Sequence, residues 1–370
     1  MDLSPEDSLR LNVLLKQELQ ALRIDESKMR VHALTPKGEA TVPLHPTMRD
    51  DLYLKKVREL ISTQVLGSPG GYPVYIKRWT RSGQAREDES LRSLLLLGEP
   101  EAVVAVVHSP DLSPEVARLA WWAMPEADNA RRLLEKPQVV ASAVGRELAR
   151  HLIEYLPFET EPRAMQDTVR LVLQPGLADE AVRADLWKRA GRKGAYYVGF
   201  LQACPDDLPE AGAPHAGATS ARAALAALVE EGNPAATLLC KVLDAGGQAF
   251  LKTAEAAMGK VANQDATVAL FNAIGSWFAA ARPALPQPRD SEAALAAARE
   301  AVDTDPALHA VLQALPEQRD RVVALATLSL TDENLLDTFF AYSDAVGPLM
   351  RRKLAPWTGP LLAQMRLLRE

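Results

Sequence analysis

Three stretches of this chain carry residue types that do chemistry. The first is LGSPGGYPVYIKRWTRSGQ, residues 66–84. It sets Gly67, Gly70 and Gly71 ahead of Tyr72, Tyr75 and Trp79, with Lys77, Arg78 and Arg81 threaded through the aromatics and no acid among them. A glycine-rich loop cradles phosphate when Gly-Lys-Ser/Thr opens a following helix. Here Gly71 runs into Tyr-Pro-Val-Tyr, which is strand material, and Lys77 comes too late. Rings interleaved with cations suit single-stranded nucleic acid, by base stacking and phosphate pairing. Alternation along a strand divides them, however: Tyr75, Lys77 and Trp79 share one face, while Val74, Ile76 and Arg78 share the other. A turn feeding an ordinary strand accounts for the same residues, with Val74 and Ile76 facing a core.

The second stretch, KRAGRKGAYYVGFLQACPDD at 188–207, ends one helix in Lys188, Arg189, Arg192 and Lys193, where cations suit the negative pole of the helix dipole. Arg189, Arg192 and Lys193 join Lys77, Arg78 and Arg81 as candidate nucleic-acid contacts. Cys204 closes the next helix. A reactive thiolate wants a helix N-terminus or a cationic partner. Cys204 instead sits at a C-terminus ahead of Asp206 and Asp207, so it reads as inert, and a sulfur-carrying or cryptic catalytic role is the alternative. The third stretch is ARLAWWAMPEADNARRLLE at 117–135. Adjacent tryptophans point about 100° apart on a helix. Val116, Leu119 and Trp122 are expected on the buried stripe and Trp121 at its edge. Trp121 and Arg131, with Trp79, are therefore the candidate partner-binding residues; a helical-hairpin core with solvated arginines is the competing structural reading. The six histidines, at 32, 45, 108, 151, 215 and 309, stand singly, without metal-ligand spacing. No nucleophile motif appears either. The sequence assigns no catalytic residue, no metal ligand and no cofactor.

The elements that must carry these residues are mostly helices. Ser4-Pro5-Glu6-Asp7 is a helix start, and Leu9, Leu11, Leu14, Leu15, Leu19 and Leu22 follow at roughly helical spacing. Residues 29–34 and 39–44 alternate around the turn Thr35–Gly38, which predicts a β-hairpin. Residues 50–65 return to helix, and 72–80 read as a third strand. From residue 89 only helices are expected, bounded by Pro, Gly or capping residues; those at 138–156 and 332–345 are each read as one helix. The expected fold is mainly α: a helical-hairpin, HEAT- or armadillo-like array with a small N-terminal α+β unit. The expected domains are the α+β unit at 1–88, a helical repeat-like domain at 89–204, and an Ala-rich helical domain at 220–370 beyond a Pro/Gly/acid-rich linker at 205–219.

Composition bounds the function classes. The chain has 370 residues, 48% hydrophobic and only 5% aromatic, which favours helices packed around a core. Its net charge is −6, and residues 205–345 hold 9 Lys/Arg against 19 Asp/Glu. A nucleic-acid role would need a local basic patch. Two cysteines without patterned spacing suggest reduced thiols. The opening MDLSPEDSLR has no apolar core of a signal peptide, and the uncharged run 266–281 is short for a bilayer. A soluble cytoplasmic protein without membrane insertion is expected.

SPEDSLRLNVLL, VLGSPGGYPVYIKRWTRSGQAR, LLLLGEPEAVVAVVHSPDLSPEVARLAWWAMPEADNARRLLE and RKGAYYVGFLQACPDDLP together resemble the sulfur reduction protein DsrS family, accessory members of the dissimilatory sulfite reductase operon of sulfur-oxidising bacteria. The resemblance covers residues 1–210. It implies a cytoplasmic accessory protein of sulfur-compound oxidation that influences how other products of the operon accumulate, and it transfers no active-site residue. The expected function is non-enzymatic and regulatory, exerted by binding protein partners. An RNA-binding post-transcriptional regulator is the first alternative and a sulfur carrier using Cys204 the second.

Overall fold

Ser4 accepts the Asp7 N–H through its hydroxyl and Pro5 follows, so helix α1 (Pro5–Leu15) starts where capping chemistry predicts. It ends before Leu19 and Leu22. The chain turns there into a strand, β1 (Ala21–Asp25), paired antiparallel with β2 (Arg30–Thr35), which pairs with β3 (Gly38–Pro43). The predicted hairpin is β2–β3. The third strand of the sheet is β1, which the leucine spacing had assigned to helix. Leucine periodicity cannot see that the backbone partners of 21–25 lie on β2. The computed structural model describes residues 3–72, 88–210 and 212–370. The strand expected at 72–80 falls, apart from Tyr72, outside the described residues.

Leu22, Val31, Ala33 and Val42 point from one sheet face into a core shared with Leu11 and Leu14 of α1 and with Tyr53, Leu54, Val57 and Ile61 of α2 (Asp50–Leu66). This core contains one buried acid. The Asp7 side chain is 0% exposed and accepts the His45 backbone N–H at 2.6 Å, the His45 Nδ1–H at 2.9 Å and the Tyr53 hydroxyl at 2.5 Å. Burial alone would raise the Asp7 pKa. The hydrogen bonds from His45 and Tyr53 outweigh it and hold the carboxyl below its ordinary value. Asp7 thereby ties α1 to the β3–α2 connection.

The remaining described elements are helical: α3 (Asp88–Leu95), α4 (Pro100–Val107), α5 (Pro114–Ala123), α6 (Ala127–Leu133), α7 (Pro137–Val140), α8 (Ala143–Tyr155), α9 (Pro162–Val172), α10 (Glu180–Ala190), α11 (Gly194–Ala203), α12 (Ala218–Glu230), α13 (Pro234–Leu243), α14 (Ala245–Met258), α15 (Gln264–Trp277), α16 (Ser291–Thr304), α17 (Pro306–Ala314), α18 (Arg319–Ser329), α19 (Asp337–Phe340) and α20 (Gly347–Leu367), with short 3₁₀ turns between some of them. Proline opens many of them at the first position, where its missing N–H costs nothing. Two expected helices are broken. Residues 138–156 divide because the Ser142 hydroxyl bonds the Val139 carbonyl and accepts the Gly145 N–H, capping a new start. Residues 332–345 give a 3₁₀ turn (Glu333–Leu336) and the short α19, because Asp332 accepts the Asn334 N–H and Asn272 takes the Glu333 N–H. Among the described residues no helix is long and apolar enough to cross a membrane.

Contacts divide the chain into two units, Met1–Tyr155 and Leu156–Glu370. Residues 205–210 and 212–219 lie within the second unit and are bonded to it: Asp206 accepts the Trp277 indole N–H at 2.7 Å and pairs with Lys241, and the His215 backbone N–H donates to the Leu243 backbone carbonyl. The core of this unit is built around Phe250, Phe271, Phe278 and the apolar faces of α13–α18 and α20. Helices α9 and α11 approach closely because position 199 lacks a side chain. A Cβ there would lie 2.7 Å from the Val169 Cβ and 2.9 Å from the Gln166 carbonyl oxygen.

Asp7→Asn is expected to cost about 2–3 kcal/mol, since an amide nitrogen or a weaker acceptor would face two strong donors; Gly199→Ala is expected to cost about 1–3 kcal/mol by overpacking. Urea midpoints followed by circular dichroism check both. Because the folded-state pKa of Asp7 is depressed, its contribution is present above the ordinary carboxylate range and is lost as pH falls through the folded value. The gap between parent and Asp7→Asn should therefore narrow in acid.

Candidate functional site

Asp179 caps α10 by accepting the Val182 N–H. The helix ends in Lys188 and Arg189, whose charges meet the outward carbonyls of its last turn. Gly191, Arg192 and Lys193 then reverse the chain, and both the Arg192 and Lys193 N–H groups bond the Arg189 carbonyl. Lys260 clamps this turn: its Nζ donates to the Gly191 carbonyl at 2.7 Å and lies 5.1 Å from the Tyr197 ring centre. Helix α11 can begin there because residue 194 is glycine. A Cβ would stand 2.6 Å from the Lys260 Cβ and 3.0 Å from its carbonyl oxygen.

The result is an open cleft of about 560 Å³ walled by Pro157 and Tyr196 and lined by Lys188, Arg189, Arg192, Lys193 and Asp185. Four cations face one carboxylate. Arg189 pairs with Asp185 at 2.6 Å. Lys193 lies 3.5 Å from the Glu159 carbonyl and 6.0 Å from the Tyr196 ring centre. Lys188 and Arg192 are exposed, and neither makes an ion pair among the described residues. Tyr196 is 1% exposed; burial pushes its hydroxyl above the ordinary value against the pull of Arg189. The cleft presents positive charge and N–H donors, which suits a multiply charged anionic group.

Arg189, Arg192 and Lys193 are thus brought together as the sequence anticipated. Lys77, Arg78, Arg81 and Trp79, read as candidates beside them, lie outside the described residues. Asp185, Tyr196 and the Lys260 clamp were missed. Asp185 had a signal, its i,i+4 spacing to Arg189; Lys260 had none, being remote in sequence.

The tryptophan pair is reversed from expectation. Trp121 is 7% exposed, donates its indole N–H to Glu147 and meets His151 edge-on at 4.7 Å between ring centres. Trp122 takes the outer position, half-buried under the Arg23 guanidinium. The expected stripe assumed one packed face. Helix α5 instead packs against α3 and β1 and also against its later neighbours, so Trp121 is enclosed. The Arg131 side chain is 15% exposed and pairs with Asp128. Little of Trp121 remains for a partner to touch.

Cys204 is partly buried. Burial pushes its thiol up to about 11, with Arg183 pulling down and Asp207 pushing up. Burial also raises Cys240. Among the described residues no group of three or more His, Cys, Asp and Glu is arranged to hold a metal ion.

In comparisons with protein-family models, curated proteins and solved structures, nothing matches the chain.

At pH 7.5 the Cys204 thiol should react with iodoacetamide at least about 100-fold more slowly than free cysteine, because so little of it is thiolate. Timed alkylation with peptide mapping checks this; rapid labelling of the folded protein at Cys204 would restore the sulfur-carrier reading.

Proposed function

We propose that this is a non-enzymatic accessory or regulatory protein that acts by binding, and that the cationic cleft between α10 and α11 grips an acidic segment of a protein partner. One observation carries the reading: Lys188, Arg189, Arg192 and Lys193 converge on a single cleft, with Asp185 as the one carboxylate lining it, in a chain whose net charge is −6. Lys188 and Arg192 have no counter-ion among the described residues, so their charge is available to a ligand. We read the helices as hairpins of HEAT or armadillo type that work through their outer surfaces. The resemblance to the DsrS family supports a cytoplasmic setting in sulfur-compound oxidation, with other products of the same operon as partners.

The same cations favour an RNA-binding reading, but two features weigh against it. Tyr196, the aromatic residue lining the cleft, is buried and gives bases no face to stack on. The surrounding chain also carries excess negative charge, which repels an extended polyanion more than a short acidic segment.

The test compares a fluorescent glutamate-rich peptide with a single-stranded RNA of equal length, by anisotropy across a salt series. Peptide binding should weaken as salt rises and fall at least about tenfold in Lys188→Glu and Arg192→Glu, each reversing a charge at an exposed position. Binding of RNA alone, with a steep salt slope lost in the same variants, would favour the regulator of RNA. Binding of neither probe would remove the cleft as the basis of the function.

A further inference from the structure

The first unit holds a second cleft of different electrostatic character. It measures about 410 Å³ and lies between the β1–β2 side of the sheet and two helix-starting turns, Gly98–Pro100 and Ala123–Glu126. Most of its charges are already spent on one another. Asp25 accepts the Ser27 hydroxyl and the Lys28 N–H and pairs with the Lys28 ammonium at 3.3 Å. The Arg23 guanidinium lies 4.9 Å over the Trp122 ring, donates to the Trp122 carbonyl and pairs with Glu39.

Glu39 also orients His32. The imidazole Nδ1 lies 2.8 Å from the Glu39 carboxylate and 3.1 Å from the Thr41 hydroxyl, while the Trp122 indole N–H reaches the other Glu39 oxygen at 3.3 Å. Glu39 is held below the ordinary carboxyl value: burial opposes this, but His32, Trp122 and Arg23 outweigh it. An ionised Glu39 can only accept, so Nδ1 carries the hydrogen. His32 lines the cleft, and its Nε2 has no hydrogen-bond partner among the described residues.

What remains uncompensated is divided between the walls. Arg30, on the sheet side, is exposed and makes no ion pair among the described residues. Glu126, on the turn before α6, is likewise exposed and without an ion pair. Glu99, by contrast, is already engaged by the backbone, accepting the Tyr72 N–H at 3.0 Å. Ile24 and Val103 add apolar lining. A simple anion entering here would meet the Glu126 carboxylate. A simple cation would meet Arg30. A molecule with both charges meets each with its opposite, and the volume lies within the range of small-ligand pockets.

We propose that this cleft binds a small zwitterion of the amino-acid class, with its carboxylate on Arg30, its ammonium on Glu126, and a hydrogen-bond donor of its side chain on His32 Nε2. The site is separate from the cationic cleft in charge and in position along the chain, so either can fail without the other.

Saturation-transfer NMR on the full chain, with the twenty protein amino acids as probes at millimolar concentration, tests it. At least one amino acid with a donor in its side chain should receive magnetisation. Its binding should weaken at least about tenfold when its amine is acetylated or its carboxylate esterified, and by a similar factor in Arg30→Ala and in Glu126→Gln. Both substitutions are at exposed positions, and circular dichroism checks that the variants fold. Lys188→Glu should leave this binding unchanged. Absence of binding by every amino acid, or binding that survives both variants or both blocked forms, overturns the assignment.

Discussion

Like charges held in one cleft repel one another, and the second unit holds four with a single carboxylate among them. Something must keep them together. The α10 dipole helps at Lys188 and Arg189, because the last-turn carbonyls carry partial negative charge. It does not help Lys193, which precedes the positive pole of α11. The turn between them is instead fixed from outside, by the Lys260 ammonium on the Gly191 carbonyl and by the backbone approach that Gly194 permits. The turn is therefore held mechanically, while Lys188 and Arg192 are left without a counter-ion among the described residues. The proposed acidic ligand would supply the counter-charge without requiring the turn to move.

The first unit solves its own charge problem differently. Asp7 is fully buried, yet the His45 N–H and imidazole and the Tyr53 hydroxyl all donate to it, and it secures the first helix to the chain beyond the sheet. Glu39 plays a similar part on the opposite side of the sheet, gathering Arg23, His32 and Trp122. These two carboxylates are consumed by the fold. Arg30 and Glu126 are not, and that difference separates structural charge from charge available for recognition.

Much of the helical framework was legible because its signals are local. Ser113-Pro114 and Pro234 announce helix starts through groups within one turn of the boundary. The β2–β3 hairpin was legible for the same reason, its turn and both strands being contiguous. The strand β1 was hidden, because residues 21–25 take their pairing from β2 while the nearby leucines mimic a helix. Trp121 and Trp122 exchanged roles because burial on α5 depends on several neighbours at once, which one helix's periodicity cannot encode. In the cationic cleft the basic residues themselves were readable, since they lie together in the sequence. The clamp from Lys260 was not, and neither was the pairing of His32 with Glu39 around a cleft, which the sheet register alone creates.

Lysine footprinting tests the central claim most directly. Brief acetylation of the protein, alone and with a bound acidic peptide or partner, followed by mass spectrometry, reads the accessibility of each ammonium. The account predicts that Lys188 and Lys193 become protected while Lys37, in the β2–β3 turn of the first unit, reacts as before. Unchanged reactivity at Lys188 and Lys193 in a saturated complex would contradict it.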